Sequence, residues 1–170
     1  MREYTEPLID PGTIVGFPSE AVARAAAEVR DEAGWHIAPV ITETLTLNGR
    51  GGQVLVVPSL RIVEVIAARD VTDPASPRVL GGWRVDKSAG LLHRDAGWPR
   101  GVASVEVELR HGFTACPLPL HGVIRERCQL AGINPGVRSE SLASRSVQFG
   151  LVGVVDTGAV MDRYTVRGQM

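Results

Sequence analysis

The stretch RDEAGWHIAPVITETLTLNGRGG, residues 30–52, holds a helix end, a junction rich in ring side chains and a strand, in that order. Just upstream, in PSEAVARAAAEVRDEAG, Val22, Ala25, Ala26, Val29 and Ala33 recur at helical spacing, with Arg24, Glu28, Asp31 and Glu32 off that face. Pro18 and Ser19 suit a helix start, Glu20 favours the positive end of the dipole, and Gly34 suits the stop. The apolar stripe is mostly alanine, which allows close approach but buries little area, so the helix should lean on a partner. After Gly34 the period becomes two. Ile41, Glu43, Leu45 and Leu47 alternate with Val40, Thr42, Thr44 and Thr46, a β-branched strand pattern. Asn48-Gly49 is expected to turn that strand back as a hairpin, because Asn-Gly tolerates positive φ. Trp35 should plug the helix end against the sheet and Pro39 should set where the strand begins. The stretch therefore reads as a corner, with His36 structural rather than catalytic.

Outward from this corner the strand patterns continue. QVLVVPSLRIVEVIAARDV is expected to form two strands broken at Pro58-Ser59. RVLGGWRVD and GLLH read as short strands on either side of KSAG, and RDAGWPRG as a loop. In VASVEVELRHGF, Val105, Val107 and Leu109 share one face, with Ser104, Glu106, Glu108 and Arg110 on the other. A second helix is expected over LPLHGVIRERCQLAG, with Leu120, Val123, Ile124, Cys128 and Ala131 at helical spacing, Pro119 in the first turn and Gly132 at the end. The fold class is then α+β: a small antiparallel β module inserted between two main helices, followed by an extended C-terminal arm ending in a short helix. Residues 1–17 should be an extended lead-in, 18–136 the α+β domain and 137–170 the arm.

Composition narrows the function. The 170 residues are 44% hydrophobic and 22% charged with a net charge of -1, ordinary for a globular chain. So balanced a charge does not pull the chain onto nucleic acid or an anionic membrane. Apolar runs are short, so no membrane span is expected. MREYTEPLIDPG lacks a long apolar core and a cleavage site, so no secretory signal is expected. Two cysteines, Cys116 and Cys128, make no disulfide framework, and both thiols should be reduced in a cytoplasmic setting.

Catalytic and metal chemistry is sparse. In NGRGGQ the last glycine is followed by Gln53 and a strand, whereas a phosphate-binding loop needs Lys-Ser/Thr and a helix. His36, His93, His111 and His121 show no paired ligand spacing; gathering His111, Cys116, His121 and Cys128 around zinc would break the usual two-to-four-residue pairing. For that set the expectation is a half-buried cysteine flanking a helix and surface imidazoles at His111 and His121. No Ser or Cys sits in a strand-turn-helix elbow. Glu43, Glu64, Glu106 and Glu108 look like the wet face of strands, and Trp35, Trp83 and Trp98 like anchors tying loops to a small core. No metal, cofactor or catalytic residue is expected.

The ordered set of segments resembles the head-tail connector (head-completion adaptor) proteins of long-tailed bacteriophages, of the actinobacteriophage type. The residues carrying the likeness are the alanine-rich helix running into AGWHIAPVITETLTLNG, the VVPSLRIVEV strand pair, and GWPRGVASVEVELRHGF leading into the second helix. NPGVRSESLASRSVQFG and the closing VMDRY complete it, from about Glu20 to Tyr164. The resemblance implies a non-enzymatic virion protein that forms a homo-oligomeric, dodecameric ring beneath the portal. Such a ring extends the DNA channel, passes genomic DNA without specific binding and receives the next neck protein, the stopper. The location implied is the virion neck at the portal vertex, with host cytoplasm during assembly.

Under that resemblance the C-terminal arm points to the portal. Val147, Phe149 and Leu151 would add to a partner's edge, and Val160, Met161 and Tyr164 would line one side of a short helix capped by Asp156 or Thr157. Ala25, Ala26 and Val29 would pack against the second helix or a neighbouring subunit. Arg50, and the loop of Trp98 and Arg100, would sit at opposite ends of the sheet strands as contacts to the next subunit or neck protein. Other readings are a stopper or tail terminator, a nucleic-acid module using Trp83, Arg94, Trp98 and Arg100, and a hydrolase with His36 or His93 as base.

Overall fold

The computed structural model describes residues 6–132 and 156–166. A short 3-10 turn at Pro11–Thr13 precedes α1 (Ser19–Ala33). Seven strands follow: β1 (Ile41–Arg50), β2 (Val54–Val56), β3 (Ile62–Asp70), β4 (Arg78–Leu80), β5 (Trp83–Asp86), β6 (Leu91–Arg94) and β7 (Arg100–His111). Then come α2 (Leu118–Gly132) and α3 (Thr157–Asp162). The architecture is α+β with small antiparallel sheets between two main helices.

Helix α1 forms as its periodicity requires. Val22, Ala25, Ala26, Val29 and Ala33 are its buried residues. Gly34 ends it in the left-handed region at φ 75, its N–H donating to the Arg30 carbonyl. Small side chains let α1 lie against α2, whose Leu120, Val123, Ile124 and Cys128 complete the same core, while Ala131 is exposed. Of the two partners expected for Ala25, Ala26 and Val29, the second helix is the one observed: all three lie in one buried cluster with the α2 side chains. Within the expected lead-in, residues 6–17 do more than lead in, since Leu8, Ile9 and Ile14 are buried in this helical core.

The strands make two sheets around a second core. One has the order β1-β7-β3-β4 and the other β2-β6-β5, all antiparallel. Leu45, Leu47, Val105, Val107 and Leu109 from the first sheet meet Leu55, Leu92 and Trp98 in one cluster. The β1 hairpin expected at Asn48-Gly49 is corrected. β1 runs through both residues to Arg50 and pairs with β7, not with β2. The Asn48 side chain is occupied instead in accepting from Ala103 N–H at 2.8 Å. A Cβ on Gly49 would stand 1.8 Å from the Pro99 carbonyl oxygen, so glycine is there for close approach rather than for a turn.

Candidate functional site

Three places concentrate polar or unusual chemistry, and the first is the corner between the two cores. Here Arg30, near the end of α1, donates to the carbonyls of Glu6 (2.7 Å), His36 (3.0 Å) and Ala38. That fork fixes residues 36–38 in a tight path, with Ile37 at φ 66. His36 is fully buried, and its Nε2–H donates to the Pro39 carbonyl. Burial pushes its pKa down to about 4, opposed by that hydrogen bond and helped by the Arg30 charge. His111 lies 6.0 Å from it, centroid to centroid, also fully buried, with Nε2 2.8 Å from Glu43 Oε1. Trp35 packs beside His111 and Phe113 at 6.3 and 6.1 Å.

Two expectations are corrected here. His111 is not a surface imidazole, and Glu43 is not on a wet strand face: both occupy inward register positions, in line with Leu109 and Leu45. The alternation itself carried that signal. Arg30, which organises the corner, had no sequence signal beyond its place near the helix end. His36 cannot reach a substrate, because it is sealed from solvent and its Nε2–H is already committed. The adjoining surface cleft is lined by Val40, Arg61, Val63, Arg110, Gly112 and Phe113 and holds no pair of acid and base groups. His93 lies on the other sheet beside Asp95 and Arg84. His121 donates to the Cys116 carbonyl at 3.3 Å, and burial pushes the Cys116 thiol up to about 12. Among the described residues no three His, Cys, Asp or Glu side chains converge as metal ligands.

The second place is the C-terminal segment. Asp156 caps α3 by accepting from Ala159 N–H at 3.0 Å. Val160 and Met161 are 6% and 3% exposed and belong to the helical core. Trp35 Nε1 donates to the Tyr164 carbonyl at 2.6 Å, and Val166 N–H to the Ala33 carbonyl at 3.0 Å. The docking role expected of Val160, Met161 and Tyr164 is therefore corrected: this part of the arm straps down on its own domain. The physical reason is its apolar content, which finds cover in the groove beside α1 and α2. Val147, Phe149 and Leu151 lie outside the described residues.

The third place is one end of the first sheet. Arg50 and Arg100 were expected at opposite ends of the strands, yet they are direct cross-strand partners. Trp98 is 3% exposed, with Nε1–H donating to the Gln53 and Leu92 carbonyls, so it anchors the loop and is no contact residue. Trp83 is half-buried, and Arg94 is committed to the carbonyls of Gly81 and Gly97. The set Trp83, Arg94, Trp98 and Arg100 thus offers no stacking platform for nucleic acid.

No protein-family model matches the sequence, and no curated protein matches it. Solved structures do. The chain is similar to one in the neck of an empty gene transfer agent particle computed with C6 symmetry, with a TM-score of 0.62, 18% identity, and coverage of 99% of this chain and 96% of that one. It is also similar to a chain in the neck of the native particle computed with C12 symmetry (TM-score 0.55, 18% identity, 89% and 83% coverage). A third likeness is to a chain in the virion of the native gene transfer agent particle (TM-score 0.56, 16% identity, 89% and 78% coverage). What these likenesses carry is the fold, over nearly its whole length.

Proposed function

We propose that this chain is a structural, non-enzymatic neck subunit of a phage-like particle, acting as the head-to-tail adaptor: a ring beneath the portal that extends the DNA channel and receives the next neck protein. The observation that carries the reading is the shared fold with a chain in a particle neck, spanning 99% of this chain and 96% of that one. The C6 and C12 symmetry of those necks supports a ring of copies. The lack of an accessible acid-base pair in the corner and the near-neutral charge fit a conduit that lets DNA pass rather than gripping it.

Within this reading the portal contact falls to Val147, Phe149 and Leu151, which would add as a strand to the portal's edge. The strapped end, residues 156–166, then serves as the fixed base of that contact. Mixing the purified chain with portal and imaging by electron microscopy tests it. A ring stacked on the portal is the expected result. A ring found only at the far end of the neck would make the chain a stopper or tail terminator, and absence from the particle would end the reading.

A further inference from the structure

The sheet end carrying Arg50 and Arg100 is built in a way the chain's own stability does not require. The two guanidinium-bearing residues are direct cross-strand partners, and like charges so placed repel. Both are exposed, and neither has a carboxylate, carbonyl or ring partner among the described residues. Every other cation of the strands and their loops has one, as in Arg69 with Glu108, Arg78 with Asp70 and Arg110 with Glu64.

The backbone beneath them is fixed. Ser104 Oγ accepts from Gly49 N–H at 3.2 Å and donates to the Gly101 carbonyl at 3.1 Å, and Asn48 holds Ala103 N–H. The resulting bulge puts Ala103 at φ 51, a left-handed conformation that alanine rarely adopts, and leaves Val102 87% exposed. An exposed apolar side chain two residues from Arg100, whose cross-strand partner is Arg50, on a backbone held by these three hydrogen bonds, has the make-up of a protein contact rather than a phosphate contact. Phosphate would use the arginines and gain nothing from Val102.

The complementary surface is on the same molecule. Residues 41–111 carry nine Lys/Arg against eight Asp/Glu, whereas residues 6–40, 112–132 and 156–166 together carry five against nine. The helical layer is thus net acidic in sum; α2 itself carries Arg125 and Arg127 against Glu126, with Arg127 held by Glu28 and Glu32 of α1. On α2, Glu126 and Leu130 lie one turn apart; Glu126 has no cationic partner among the described residues, and Leu130 is 59% exposed. An acid beside an exposed leucine on α2 matches two arginines beside an exposed valine on the sheet.

We propose that the sheet end of one copy, through Arg50, Arg100 and Val102, docks on the α2 face of a second copy carrying Glu126 and Leu130. The contact joins different patches of identical chains, the kind of interface that closes into rings. It deepens the ring reading above by naming the contact between copies.

The test is charge reversal in the purified full chain, read by analytical ultracentrifugation and negative-stain microscopy. The Arg50→Glu/Arg100→Glu variant should keep the parent's circular dichroism melt, because both side chains are exposed. It should lose association by about tenfold or more. Adding Glu126→Arg should restore association, which a merely structural role for Glu126 would not do. Unchanged assembly by the double variant, a loss that Glu126→Arg fails to recover, or a wild-type chain that never self-associates would each overturn the proposal. So would a double variant that assembles normally but no longer shifts a DNA duplex, since the arginines would then serve nucleic acid. Rescue in a chain found absent from particle necks would keep the contact and end the neck reading, so the two fail separately.

Discussion

If residues 156–166 belong to the domain's own core, shortening Met161 must destabilise the isolated monomer. Met161→Ala removes about three methylene-sized groups from a side chain that is 3% exposed, and at roughly 0.8 kcal/mol each the transfer loss is about 2.4 kcal/mol. The cavity left among the α1 and α2 side chains adds to this, for a total of about 3 kcal/mol. At roughly 2–4 °C per kcal/mol for a chain of this size, the melting temperature should fall by roughly 6–12 °C. The loss is capped by the free energy of docking α3, because a six-residue helix can detach before the rest unfolds. Urea unfolding followed by tryptophan fluorescence separates these cases, since Trp35 is held by the Tyr164 carbonyl and reports detachment. A melt and a urea midpoint within about 0.5 kcal/mol of the parent would refute the strap and return α3 to the role of a free docking arm.

Three further outcomes follow from the same structure. Gly49→Ala should cost about 3 kcal/mol or more, because its Cβ would meet the Pro99 carbonyl. Gly52→Ala, whose Cβ meets nothing within 4 Å, should be nearly silent in the same melt. Ala26→Leu should overpack the α1–α2 contact by about 1–3 kcal/mol even in a strictly monomeric sample, which chemical denaturation measures. His36 has a folded pKa near 4 against an ordinary 6.5, so between those values the unfolded chain binds a proton that the folded chain refuses. Stability should therefore fall by about 1.4 kcal/mol per pH unit as pH drops through that window, roughly 3 kcal/mol in all, and His36→Gln should remove that part of the slope.

The helical faces were legible because a continuous 3.6 period marks one stripe whatever the tertiary context, and all five positions read on α1 are buried. The inward face of β7 was legible for the same reason at period two. What failed was local turn chemistry set against topology. Asn48-Gly49 looks like a hairpin, but a glycine needed for close approach and an asparagine needed to hold a neighbouring bulge leave the same two letters in the sequence. His111 and Glu43 were misplaced because residue type was weighed above register, although both continue an alternating run of core positions. The apolar content of Val160, Met161 and Tyr164 announced that they would be covered; no local pattern says whose surface does the covering. The pairing of Arg50 with Arg100 was out of reach, since it depends on β1 and β7, about fifty residues apart, lying side by side.

The reach of the Trp35–Tyr164 bond across 129 residues has a consequence for how the protein is made. The sheet core draws only on Leu45 to Leu109, so it can close while the ribosome is still adding α2. The helical core cannot, because α1 waits for Val160 and Met161, which are made after every described strand and after α2. Until then the side of this core that Val160 and Met161 close stays open, so a nascent chain interrupted before α3 exposes an apolar seam that aggregation or proteolysis can act on. The helical core is thus sealed only when α3 has been made and has docked against α1 and α2.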